Sequence, residues 1–209
     1  ALAGEGDPVG RIVFSTPVIE EADGFRFYQL LYTEAFGRLG YDFELHSHPV
    51  KRSMASANQG VTDGDTGRIE KLITSGEYPN LLLVPVVIGQ ADVAIFTRDG
   101  TETFTSWDDL DKFRGTDVVI AHTRGFVAVE LELHKHVDAS NIFITSKGVQ
   151  DCMMLAAGRI DYFIEPKAVI EQFIQEGLCD GDGVKLAGIV ETVLVYPVLN
   201  KKHADLAPK

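Results

Sequence analysis

The chain is poor in cysteine, tryptophan and methionine, short of positive charge, and lacks any long apolar run. Its two cysteines, Cys152 and Cys179, form neither a CxxC pair nor a metal-ligand spacing, which argues against a thiolate metal site or a CxxC redox centre. Cys152 falls in a helical, apolar run, so a buried free thiol is the first reading. A Cys152–Cys179 disulfide stays open, because spacing alone does not supply the geometry such a bond requires. Lysine and arginine number 19 against 31 aspartates and glutamates, for a net charge of −12 and a pI near 4.8. With no basic stripe to offset phosphate repulsion, the charge argues against nucleic acids and polyanions as partners. One or two arginines can still act locally on a small ligand. No apolar stretch approaches the roughly 20 residues of a membrane helix.

What is present is enough to build either one large core or two smaller ones: 209 residues, 45% of them hydrophobic. The opening "ALAGEGDPVG" has no initiator Met, and its Ala-Leu-Ala resembles the small-residue end of a cleaved secretory signal. The expectation is a mature periplasmic or secreted protein.

Periodicity divides the chain into two similar halves. "RIVFST" is a β-branched run closed by Pro17 and predicts a buried strand. Phe27, Leu30, Leu31 and Leu39 follow helical spacing up to Gly40. "YDFELHS" alternates as a strand, a short helix runs from Pro49 to about Gly60, and "VTDGD" predicts a third strand. The later half repeats this order. A capped helix in "SWDDLDKFRG", where Ser106 can accept a first-turn N–H, comes first. Strand "DVVIAH", a helix from Gly125 to His136, strand "NIFITS", a helix from Gly148 to Ala157 and strand "IDYFIE" follow. A β-α-β-α-β order predicts parallel strands with crossover helices. Between the halves, "YPNLLLVPVVIGQADVAIFTRDG" can carry a crossing strand, and "ETVLVYPVLNKKH" a second one back. "HADLAPK" reads as the start of a final helix.

One detail is duplicated. An aspartate follows a helix-ending glycine by three residues at Gly60/Asp63 and again at Gly158/Asp161. Beyond each lie charged residues at a strand tip: Asp65 and Arg68 in the first half, Glu165 in the second. Parallel sheets bind ligands at such tips.

The chain resembles bacterial type 2 periplasmic solute-binding proteins of the amino-acid-binding (family 3-like) group that serves ABC transporters. The resemblance rests on "FYQLLYTEAFGRLGYDFEL", "KRSMASANQGVTDGDTGRI", "YPNLLLVP", "SWDDLDKFRGTDVVIAHTRG" and "DCMMLAAGRIDYFIEP", in that order, and covers nearly the whole chain. It implies an α/β, two-lobed fold with two crossing hinge strands, lobe 1 being residues 1–92 and 191–209 and lobe 2 residues 93–190. It further implies a small zwitterion or carboxylate, an amino acid first, trapped between the lobes without chemistry. By that resemblance Arg68 pairs with the ligand carboxylate, Glu165 takes its ammonium, and backbone donors of "HTRGF" (Thr123, Arg124, Gly125, Phe126) support the carboxylate. Two departures stand out: Asp63 and Arg68 are only five residues apart, with Thr66 a possible stand-in for the usual threonine, and Glu165 replaces the more usual aspartate.

Ser15 and Thr16 at the end of the first strand, Asp65, and Tyr162 complete the candidate set. Each has a plainer reading beside it. Arg68 can pair with Asp63 or Asp65, Glu165 can cap the helix that begins at Pro166, and "HTRGF" can be an ordinary turn. His46 and His48 lack a third ligand, so no metal is expected. His134 and His136 read as solvated, and Tyr78, Trp107 and Phe126 as core or hinge packing. No catalytic residue, cofactor or metal is expected. The expected partners of a monomer are a small-molecule ligand and either a membrane permease or a sensor kinase. A sensing domain of a membrane receptor, or a dehydratase-like enzyme on the same scaffold, are the alternatives.

Overall fold

In the computed structural model, which describes residues 8–208, the chain forms two units. The first reaches Gly89 and resumes at Leu194, and the second spans Gln90–Val193, so the chain passes between them twice. The opening "ALAGEGD", on which the export expectation rests, lies outside the described residues.

In the first unit, β1 (Gly10–Thr16) pairs in parallel with β2 (Tyr41–Ser47) on one side and β3 (Gly64–Ile69) on the other. The end of β9 (Lys185–Asn200) runs antiparallel to β3, and β4 (Leu81–Leu83) pairs with β9. Helices α1 (Asp23–Arg38) and α2 (Val50–Gln59) make the crossovers, and α3 (Glu70–Thr74) follows β3. On α1, Tyr32 and Phe36 are four residues apart and therefore share the face that packs on the sheet. Their rings join Phe14 and Phe43 in an aromatic cluster, with Phe36 stacked on Phe43 at 5.6 Å and Phe14 edge-on to Phe36 at 5.3 Å. Ile12, Leu45, Leu199 and Leu206 close this core.

The second unit repeats the scheme. Strand β6 (Ile120–Thr123) lies between parallel β7 (Ile142–Thr145) and β8 (Tyr162–Pro166), and β5 (Gly89–Thr97) runs antiparallel to β8. Its helices are α4 (Val127–Glu132), α5 (Gly148–Ala156) and α6 (Lys167–Gln175). The core holds Phe96 stacked on Phe163 at 4.9 Å, with Leu155, Ile160 and Ile170 around it. Cys152 and Cys179 lie in the same core and are joined by a disulfide, their Cα atoms 5.7 Å apart, which overturns the free-thiol reading. Packing brings the 27-residue-separated cysteines together, and sequence spacing carries no trace of that.

The duplicated aspartates do the same work in both units. Gly60 ends α2 and Gly158 follows α5, each with positive φ (75° and 67°), a conformation that glycine adopts without Cβ strain. Three residues on, the aspartate clasps both backbone polar groups of one residue, within β1 in the first unit and immediately before β6 in the second. The Asp63 N–H donates to Val13 O (2.6 Å) and its carboxylate accepts the Val13 N–H (2.8 Å). Asp161 treats Val119 likewise, at 3.0 and 2.8 Å.

Several expectations move. The third strand is not "VTDGD" but Gly64–Ile69, so Asp65 and Arg68 lie within it and not beyond it. The "SWDDLDKFRG" helix is a 3-10 segment over Trp107–Phe113, where the Asp109 carboxylate takes the Ser106 and Thr105 N–H groups at 3.1 and 2.7 Å. The helix expected from Gly125 to His136 is shorter, α4 being followed by a 3-10 turn at Leu133–Lys135. The final segment makes only a 3-10 turn, Lys201–His203.

Candidate functional site

In both units the strand order reverses at the first strand: the second strand lies to one side of it and the third to the other. The carboxyl ends of strands at such a reversal are the place where sheets of this kind take ligands. Buried polar groups cluster there in both units.

In the first unit these are Ser15, Thr16, Ser53, Thr62, Asp65 and Thr66, all buried. Asp65, at 0% exposure, is the hub: its Oδ2 accepts the Ser53 hydroxyl at 2.5 Å and Arg68 Nη2 at 2.8 Å, and its Oδ1 accepts the Gly67 N–H at 3.3 Å. Ser15 Oγ lies 3.0 Å from Ser53 O and 3.2 Å from Thr62 Oγ1. Thr66 donates to Thr16 at 2.9 Å, and the Tyr32 hydroxyl donates to Thr66 O. Burial pushes the Asp65 carboxyl above its ordinary range, against the pull of Arg68 and Ser53.

The other guanidinium nitrogens of Arg68 are also engaged, Nη1 with Gly67 O at 2.7 Å and Nε with Met54 Sδ at 2.9 Å. The Arg68 side chain is 10% exposed. The plainer of its two sequence readings, a pair with Asp65, is therefore realised. Asp63, the other partner considered, binds Lys202 and His203 at 2.8 and 2.7 Å instead.

In the second unit Glu165, 4% exposed, turns back along the sheet and accepts the Thr123 N–H at 2.7 Å; it does not cap α6. Thr123 Oγ1 donates to Asp151 Oδ2 at 3.3 Å and lies 3.5 Å from Thr145 Oγ1. Burial pushes Glu165 up to about 7, and the adjacent Asp151 adds to this while the Thr123 donors oppose it. Burial raises Asp151 as well.

The donors of "HTRGF" are all spoken for. Besides Thr123, Arg124 N donates to Thr145 O (2.9 Å), Gly125 N to Glu130 Oε1 (2.7 Å) and Phe126 N to Thr123 O (3.2 Å). The Arg124 side chain is exposed, while Gly125 and Phe126 are half-buried. Tyr162 stands at the opposite end of β8 from Glu165, packed against Phe104 and Phe113, with its hydroxyl on Glu102 at 2.8 Å. The second unit thus gathers Glu165 and Thr123 but not Tyr162. The first gathers Ser15, Thr16, Asp65 and Arg68.

Sequence reasoning missed Ser53, Met54 and Asp151. Asp151 was legible: Gly148, Asp151, Cys152 and Leu155 follow i, i+3, i+4, i+7 spacing, so an acid stands in the buried stripe of α5. His136 is not solvated, since its ring stacks on Trp107 at 6.3 Å and Nδ1 lies 3.1 Å from Asp111. Asp108, Asp111 and His136 bring donor atoms within 4.8 Å of one another, but both carboxylates are exposed and Arg114 already pairs with Asp111 at 3.3 Å. His46 bonds Glu44 at 2.7 Å. No helix among the described residues is long and apolar enough to cross a membrane.

No protein-family model matches the chain. A Shewanella oneidensis protein described as uncharacterized is 23% identical over 183 residues, 88% of this chain and 67% of that protein. Among solved structures, the arginine-bound form of truncated ArgBP from T. maritima superposes with a TM-score of 0.67 at 15% identity, covering 95% of this chain and 92% of that one. A histidine kinase sensor domain with similarity to periplasmic binding proteins gives 0.70 at 16% identity, over 94% and 85%. The chain therefore has the α/β fold of type 2 periplasmic binding proteins, and the resemblance read from the sequence holds at the level of fold.

Proposed function

We propose that the chain is an extracytoplasmic ligand-binding domain that holds a small molecule bearing a cationic group, an amino acid in first place, and does no chemistry on it. The observation that carries this reading is the matched pair of buried polar clusters, one at each unit's strand-order reversal. Buried carboxylates and hydroxyls without an apolar fill cost stability, and a ligand site explains why they are kept. The Cys152–Cys179 disulfide suits an oxidising compartment. The arginine carried by one similar structure supports a cationic amino acid.

Two uses fit this reading, delivery to an ABC permease and presentation of the bound form to a sensor kinase. An arginine-binding protein among the similar structures supports the first, and a histidine kinase sensor domain the second. In either, the ligand acts by shifting a conformational population toward the bound form.

Thermal-shift screening against amino acids, dicarboxylates, polyamines and sugars tests the reading. A ligand at a hundred times its dissociation constant stabilises by about 2.7 kcal/mol. Glu165→Gln is expected to abolish the response to the ligand found, and an unchanged response removes Glu165 from the site.

A further inference from the structure

The first unit neutralises its buried acid with Arg68; the second buries two acids with no arginine or lysine among the partners found for them. Asp151 is 0% exposed and Glu165 4%. Asp151 Oδ2 has the Thr123 hydroxyl, but Asp151 Oδ1 has no hydrogen-bond partner among the described residues. Glu165 Oε1 has the Thr123 N–H, so both buried carboxyl groups are held by the same residue, one through its N–H and the other through its hydroxyl. An ionised carboxylate only accepts, so a bond between two carboxyl groups needs a proton on one of them. Neighbouring buried like charges do not both ionise. A proton on Glu165 supplies the donor that Asp151 Oδ1 lacks.

The groups facing the pair are few. Strand β6 offers Thr123 and the buried His122, whose Nδ1 lies 3.0 Å from Thr123 O, and β7 offers Thr145. A Cβ on Gly148, at the start of α5, would stand 3.7 Å from the Glu165 carboxyl carbon and 3.2 Å from the Phe173 ring of α6. Lys167 of α6 pairs with Glu171 instead. His122 is thus the one ionisable neighbour among these.

We propose that Asp151 is a second acidic residue of the ligand site, that it shares one proton with Glu165 when the site is empty, and that the ligand's cationic group takes that proton's place. The inference rests on the reading of the chain as a binding domain. The exchange balances: the pair carries one net negative charge with the proton, and keeps that net charge when a monocation enters and the proton leaves to solvent. Binding therefore expels a proton and tightens as pH rises.

The test has two parts. Infrared difference spectra of the ligand-free protein across pH are expected to show one buried neutral carboxyl that ionises near neutrality, and to lose it in Glu165→Gln. In Asp151→Asn the Glu165 titration is expected to fall toward the ordinary carboxylate range. Absence of the neutral carboxyl at pH 6 overturns the proposal whatever the chain binds.

The second part follows thermal unfolding with L-arginine and, separately, succinate at pH 6 and pH 8. With a group ionising at about 7, arginine is expected to bind about tenfold more tightly at pH 8 than at pH 6, and Asp151→Asn to reduce that difference. Equal arginine affinity at both pH values overturns the exchange. Stabilisation by succinate alone overturns the cationic assignment while leaving a binding domain standing. No response to either probe, with the neutral carboxyl present, overturns the placing of the pair in a ligand site.

Discussion

The two units share a strand order and an aspartate clasp, yet they handle buried charge in opposite ways. In the first, Asp65 is met by Arg68, Ser53 and the Gly67 N–H, and each guanidinium nitrogen has a protein acceptor. In the second, Glu165 and Asp151 are both held by Thr123, through its N–H and its hydroxyl, with no cationic side chain bonded to either among the described residues. The fold repeats its scaffold and leaves charge balance to side chains. A closed ion pair makes the first cluster stable when empty. On the proposed reading, the acid pair makes the second a place where a cation is favoured.

The sharpest break of this comparison is Asp65→Ala, which leaves Arg68 buried without its counter-ion. It is expected to cost about 3–5 kcal/mol in urea unfolding, the usual consequence of orphaning a buried charge. A loss under about 1 kcal/mol would show that Arg68 reaches water easily and that the first cluster is not closed. Next comes the disulfide: replacing Cys152 and Cys179 by serine is expected to cost about 2–4 kcal/mol, with the second unit bearing the loss in hydrogen-exchange protection.

The pH dependence of stability separates the clusters further. Glu165 has its folded value raised to about 7 from 4.5. The folded state therefore binds more protons than the unfolded one between those values, so this group's contribution is full below about pH 4.5 and is lost as pH rises through 7. The span is roughly 3 kcal/mol, and Glu165→Gln is expected to flatten it. The smallest effect sharpens the likeness between the units. Asp63→Ala and Asp161→Ala each remove a backbone clasp, on β1 and on the residue before β6, and each is expected to cost about 1–2 kcal/mol. Asp63 should cost more, because Lys202 and His203 also bind it and, although burial opposes them, hold its carboxyl below the ordinary range.

How much of this could be read from the sequence depended on how local its cause was. Strand β2 matches "YDFELHS" residue for residue, because Tyr41, Phe43 and Leu45 alternate without interruption. Strand β3 was placed too early, since Val61 and Thr62 look more like strand residues than Gly64 or Gly67. Gly64 is a strand residue for a non-local reason: a Cβ there would meet Val198 O at 2.3 Å and the Phe14 ring at 2.5 Å. The Gly60/Asp63 and Gly158/Asp161 spacing was visible as a pattern, but its meaning needed the residue that each aspartate clasps. Arg68 and Asp65 were legible as a pair; that Ser53 and Met54 complete their surroundings was not, because α2 had to be folded onto β3 first. The disulfide and the nearness of Asp151 to Glu165 are likewise products of packing.

The most direct measurement of the central claim is the carboxyl titration of the ligand-free protein. The account predicts a single buried carboxyl that stays neutral at pH 6, ionises near 7 and disappears in Glu165→Gln. Finding Glu165 and Asp151 both ionised at pH 6 would contradict it.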